Sequence, residues 1–123
     1  MQRIMSILVF ALASVVFIII LNFANLSSDE LKVIEICKKA CEARVKNYGV
    51  DNEGKCLLNP VPNYPDWVCD IAHSPRLPID SLCENMCSEY KEYKTLCPNA
   101  TSVGRASHFV EVDPNCNLIR VVK

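Results

Sequence analysis

Along the chain, the pattern of apolar and polar positions changes period four times, and each change predicts a new element. Residues 4–26 are predominantly apolar, with no charge between Arg3 and Asp29. As a helix this stretch is long enough to cross a hydrocarbon core of about 30 Å. It predicts a transmembrane signal-anchor. Beyond it Ser27 and Glu30 form a capping box, and Ile34, Cys37, Cys41, Val45 and Tyr48 recur at helical spacing until Gly49. This predicts an amphipathic helix over 28–48, with Lys38, Lys39, Glu42 and Lys46 facing water. Proline, asparagine and glycine then dominate 51–65, with short β-like runs at 55–58 and 67–72 on either side. Asp80 and a second capping box, Ser81 with Glu84, introduce Leu82, Cys83, Met86, Cys87, Tyr90 and Tyr93, the pattern of a second amphipathic helix ending near Thr95. Two β-like runs, 106–112 and 118–122, flank Asp113-Pro114-Asn115 and predict a closing antiparallel hairpin.

These elements give an α+β fold: an N-terminal transmembrane helix, then a small disulfide-crosslinked domain of two amphipathic helices and a small antiparallel sheet. The boundaries are a cytoplasmic stub at 1–3, the anchor at 4–26 and an extracytoplasmic domain at 27–123. Arg3 and the terminal amine precede the apolar segment and Asp29 and Glu30 follow it, so the positive-inside bias keeps the N-terminus in the cytoplasm. The lipid bilayer is then a partner through residues 4–26. The alternative is cleavage near Ala24 and secretion; Ala11-Leu12-Ala13 also fits a small-x-small site, but cutting there leaves seven apolar residues at the new terminus.

All eight cysteines, Cys37, Cys41, Cys56, Cys69, Cys83, Cys87, Cys97 and Cys116, follow the apolar segment. Export to an oxidising compartment would turn them into disulfides. Eight cysteines allow 105 connectivities. Both predicted helices carry cysteine at i and i+4, which suits a ladder of Cys37 with Cys87 and Cys41 with Cys83; this spacing resembles the twin CX3C helical hairpins of small secreted and intermembrane-space proteins, in those four residues alone. A local Cys56–Cys69 bridge would brace the proline-rich loop, and Cys83 with Cys97 rivals the ladder.

With Arg3 set aside, 12 basic residues face 14 acidic ones, scattered rather than clustered, which argues against nucleic acid as a partner. There is no C-x-x-C, no G-x-S-x-G, no H-E-x-x-H and no phosphate loop. No catalytic residue, metal ligand set or cofactor is indicated. His73 and His108 are the only histidines, and they would meet if their β-like runs were neighbours, without an evident third ligand. Asp66 with Asp70 and Glu89 with Glu92 read as solvated carboxylates. Trp67 is either the core anchor of the sheet or, exposed with Tyr64 and Asp66, part of a recognition surface on the proline-rich loop. Asn99-Ala100-Thr101 is the more accessible of two glycosylation sequons, the other being Asn25-Leu26-Ser27.

The segments Asp66-Trp67-Val68-Cys69-Asp70-Ile71-Ala72-His73-Ser74-Pro75-Arg76 and His108-Phe109-Val110-Glu111-Val112 resemble parts of uncharacterised, single-anchor, cysteine-containing exported proteins of archaea, over about the C-terminal two thirds of the chain. The resemblance implies an anchored exported module and no catalytic residue. The leading expectation is a non-enzymatic binding or structural module of the cell envelope, with a protein or glycan partner. The alternative is a membrane-tethered thiol-redox or copper-transfer protein using the Cys37/Cys41 pair, since soft thiolates suit Cu(I).

Overall fold

A computed structural model of the chain describes residues 26–123, so the predicted anchor at 4–26, apart from Leu26, lies outside the described residues. Among the described residues no helix is long and apolar enough to cross a membrane. Residues 32–123 form one compact unit.

The long helix α1, Ser28–Tyr48, follows the predicted range. Its first turn is closed by the capping box, with the Ser27 N–H donating to Glu30 at 2.8 Å and the Glu30 N–H to the Ser27 hydroxyl at 3.2 Å. Val33, Cys37 and Cys41 are fully buried on one stripe, with Ile34, Ile36 and Val45 packed beside them. Lys38, Lys39, Glu42 and Lys46 face water as expected. Tyr48 departs from the predicted stripe and is exposed.

Four strands follow: β1, Cys56–Leu58; β2, Trp67–Ile71; β3, His108–Val112; and β4, Leu118–Val122. They lie side by side in chain order. β1 with β2 and β3 with β4 are antiparallel, but β2 and β3 run parallel, which corrects the expected all-antiparallel sheet. The physical cause is the length of the 72–107 connection, which carries the chain back across the sheet as a parallel crossover requires. The β3–β4 turn is the predicted one. The Asp113 carboxylate accepts the N–H groups of Asn115 and Asn117, both at 2.9 Å, and Cys116 sits at φ 68°.

The crossover corrects a second expectation. Instead of one amphipathic helix over 80–95 it holds a short 3-10 turn, Pro78–Ser81, a run of turns, and a single helical turn α2, Tyr93–Leu96. Leu82 and Cys83 are exposed, so the predicted stripe has no continuous surface to bury against. Asp80 does not cap a helix that starts after it. Its carboxylate reaches back to the N–H groups of His73, at 3.0 Å, and Leu77, at 2.8 Å. Asn85, also buried, donates to the carbonyls of Glu53 and Ile79 and accepts the Cys56 N–H at its own carbonyl, which ties the turn segment to β1. Serine, asparagine and cysteine favour helix interiors weakly, so these tertiary bonds decide the conformation.

Alternation gives the sheet two faces. Trp67, Cys69, Ile71, Val110 and Val112 point toward α1 and make the main core. Val68, Asp70, Phe109, Glu111, Arg120 and Val122 point the other way, where the crossover partly covers them. Disulfides rivet both layers. Cys37 joins Cys69 and Cys41 joins Cys116, so the two sulfurs of α1 go to β2 and to the β3–β4 turn. Cys56 joins Cys87, linking β1 to the crossover, and Cys83 joins Cys97 within it. The expected ladder and the Cys56–Cys69 bridge are therefore replaced, because α1 packs on the sheet and the predicted second long helix does not form among the described residues. Cys83 pairs with Cys97, the alternative that rivalled the ladder. The Cys41–Cys116 bridge closes 75 residues, worth roughly 4 kcal/mol alone in the chain-entropy description.

Candidate binding cleft

The face of the sheet turned away from α1 carries two transverse rows of side chains in register. The first is apolar: Val68 on β2, Phe109 on β3 and Val122 on β4. The second runs Cys56, Asp70, Glu111 and Arg120 across all four strands. Met86, Tyr90 and Leu96 of the crossover stand over the rows and leave an open cleft of about 280 Å³ between themselves and the sheet. Apolar walls with a few convergent polar groups are the usual character of a small-ligand site. A wider depression beside Arg44 and residues 48–55 is shallow and polar, and has no such walls.

Glu111 is buried and accepts from two arginines: Arg76 Nη1 at 2.9 Å and Arg120 Nε at 3.2 Å. Arg120 also lies over the Phe109 ring, 5.1 Å from its centroid, while Tyr90 meets the same ring edge-on at 5.0 Å. These contacts hold one wall of the cleft and leave the guanidinium groups at its rim. Asp70, next in the row, has no arginine hydrogen-bonded to it. Its Oδ1 is fully enclosed without a hydrogen-bond partner. Burial pushes its carboxyl up to about 8, with Glu111 adding to the rise and Arg76 opposing it, so the acid is protonated at neutral pH. The Asp70 carboxylate and the sulfurs of Cys56 and Cys87 all lie within 4.8 Å of one another.

The sequence reads Asp66 and Asp70 together as solvated carboxylates, and the structure separates them. Asp66 is exposed, and its pKa is held low by the Ser107 N–H and hydroxyl. Asp70 is enclosed. Glu89 and Glu92 lie on the crossover, half-buried and exposed respectively, and Glu92 stands at the mouth of the cleft. The signal that finds Asp70 is present in the chain: Val68 and Ala72 are apolar on the strand face expected to meet water, so that face must be covered too. Glu111 beside Phe109 repeats the signal on β3.

Trp67 is buried in the main core and stacks on His108, with centroids 4.6 Å apart and planes at 18°. Tyr64 is half-buried at the tight 61–64 turn, so of the residues considered for a recognition surface Asp66 alone is exposed. The two histidines do not meet. In the parallel register His108 lies opposite Trp67 and His73 lies beyond the far end of β2, six residues or about 20 Å along. Each instead faces a carboxylate, His73 that of Asp80 and His108 that of Asp66, both at 2.8 Å. Asn99 is exposed in the loop after α2. Cys37 and Cys41, the pair considered for thiol or copper transfer, are both fully buried and bonded to different partners, so they do not form a dithiol. All eight cysteines are paired.

No family model, no curated protein and no solved structure matches the chain. The fold and the cleft stand on their own geometry: a small α+β domain held by four disulfides, with an apolar-walled cleft whose floor carries an acid that has one oxygen enclosed and without a partner.

Proposed function

We propose that this chain is an exported, non-enzymatic binding module of the cell envelope, tethered by the apolar segment 4–26 with its N-terminus in the cytoplasm and residues 27–123 outside. The pairing of all eight cysteines supports an oxidising compartment. The cleft on the outer face of the sheet is the binding site, and its occupant is a small neutral molecule or side chain with an apolar body and one carbonyl group. The Asp70 carboxyl, which lines this apolar cleft, carries this reading. A protonated carboxyl there has a hydrogen bond to give, and enclosed polar groups are normally satisfied. Val68, Phe109 and Val122 would take the apolar body.

The test has two arms. Membrane fractionation with protease added from outside is expected to recover the chain with membranes and digest its domain; a cytosolic, protected chain refutes the export. Titration with small aromatic amides is expected to shift the NMR signals of Val68, Phe109 and Val122 in the wild type and not in Val68→Trp, which fills the recess. Shifts spread over the surface, or equal in both proteins, refute the site.

A further inference from the structure

The second row of the cleft places an acid against a disulfide, and the arrangement bears on chemistry rather than binding. Among the described residues Cys56–Cys87 is the one bridge with a carboxylate oxygen within 4.8 Å of both sulfurs. Its two ends differ. Cys56 is half-buried on the edge strand β1, whereas Cys87 is buried, and the Cys69 carbonyl oxygen lies nearer Cys87 Sγ, at 3.1 Å, than Cys56 Sγ, at 3.5 Å. A thiolate released at Cys87 would face that oxygen with almost no water to solvate it, which is costly. It can leave as a thiol if a proton is at hand. The Asp70 carboxyl, with an oxygen that nothing else engages, is placed to give one.

We propose that Cys56–Cys87 is a reactive disulfide that exchanges with thiols, and that Asp70 is the general acid for the sulfur that leaves. The thiolate of a low-molecular-weight thiol or of a protein cysteine attacks Cys56 Sγ. A new S–S bond forms there as the Cys56–Cys87 bond breaks. The electron pair of the broken bond goes to Cys87 Sγ, which takes the proton of Asp70. The products are a mixed disulfide on Cys56, a thiol at Cys87 and the Asp70 carboxylate; the incoming thiol has been oxidised and the bridge reduced. In reverse, the carboxylate takes the Cys87 proton as that sulfur attacks the mixed disulfide. An acid that titrates near the thiol it serves is well matched for transfer in both directions, and Asp70 at about 8 is close to an ordinary cysteine. The other bridges lack this set. Both sulfurs of Cys37–Cys69 are fully buried and those of Cys41–Cys116 nearly so, while Cys83–Cys97 has an exposed cysteine and no acid close to both sulfurs.

The experiment treats the full-length chain, in detergent micelles, with limiting dithiothreitol from pH 6 to 9, quenches with acid, alkylates, and maps the labelled cysteines by mass spectrometry. Cys56 and Cys87 are expected to be labelled first, ahead of the more exposed Cys83. Referred to dithiothreitol thiolate, their rate is expected to fall as pH rises through about 8, where Asp70 loses its proton. Asp70→Asn is expected to react at least tenfold slower at pH 7 and to flatten the profile, in keeping with what general acids contribute. Asp70→Glu is expected to restore the slope. First labelling at Cys83 and Cys97, or an Asn variant with the rate and profile of the wild type, overturns the proposal. Should the Asn variant not fold, the wild type decides alone: a flat thiolate-referred profile overturns the role of Asp70.

Discussion

Replacing Asp70 with Asn tests the electrostatics of the cleft through stability. In the folded chain the Asp70 carboxyl is raised from 3.8 to about 8, chiefly by burial. The unfolded chain gives up that proton near pH 4 and the folded chain keeps it to about pH 8, so between these values the folded state binds more protons and stability falls as pH rises. The slope approaches about 1.4 kcal/mol per pH unit, which puts the accumulated cost at roughly 4 kcal/mol by pH 7. Asparagine keeps the shape and cannot ionise, but brings two amide N–H donors to a cleft floor where the protonated acid brings one O–H, a loss of about 1–3 kcal/mol. The variant is therefore expected to be the less stable protein at pH 4 and the more stable one at pH 8, with a crossing between. Asp66, Asp80 and Asp113 are all lowered in the folded state, so their contribution is lost as pH falls into the acid range; it is common to both proteins and cancels in the difference. The assay is guanidinium unfolding with disulfides intact, followed by the fluorescence of Trp67, the sole tryptophan. A stability difference that stays constant from pH 4 to pH 8 would show that Asp70 is not held protonated by its surroundings.

Two further substitutions probe the frame around the cleft. Gly54 sits at φ 69°, and a Cβ there would collide with Asp80 Oδ1 and come within 3.2 Å of the Ile71 carbonyl. Asp80 cannot give way, since it holds the His73 and Leu77 N–H groups and the His73 ring, so Gly54→Ala is expected to lose about 2 kcal/mol or more in chemical denaturation; a neutral effect refutes the fixed position of Asp80. Trp67→Ala removes the ring stacked on His108 and opens the core, with an expected loss of about 4 kcal/mol by circular dichroism melting. A loss below about 1 kcal/mol would place Trp67 at the surface rather than in the core.

Local signals carried the parts of the fold in which one segment decides its own shape. The capping box and the Cys37/Cys41 stripe of α1, the strand runs and the Asp113 turn are all legible, because each satisfies its own backbone or shows one periodic face. The crossover is illegible for the opposite reason. The spacing of Cys83, Cys87 and Tyr90 imitates a helix, but the sulfurs go to Cys97 and Cys56 and the ring covers Phe109, obligations set by distant residues. Strand direction was hidden in the same way, since a parallel β2–β3 pair follows from where the long connection returns. The cleft was legible only in part: apolar residues on both faces of β2 announce that both are covered, yet the row joining Cys56, Asp70, Glu111 and Arg120 exists only once four strands are in register.

The Cys41–Cys116 bridge has a mechanical consequence. Tension applied between the two chain ends would run down α1 to Cys41, cross to Cys116 through the sulfur atoms, and leave by β4, bypassing the 74 residues in between. Strands β1 to β3 and the crossover lie within that shielded loop, off the line of tension, while β4, which brings Arg120 and Val122 to the cleft, lies outside it. Pulled by its ends, the oxidised domain would yield its helix and last strand, opening the β4 wall of the recess, and keep β1 to β3 and the crossover under forces that would unravel an uncrosslinked sheet.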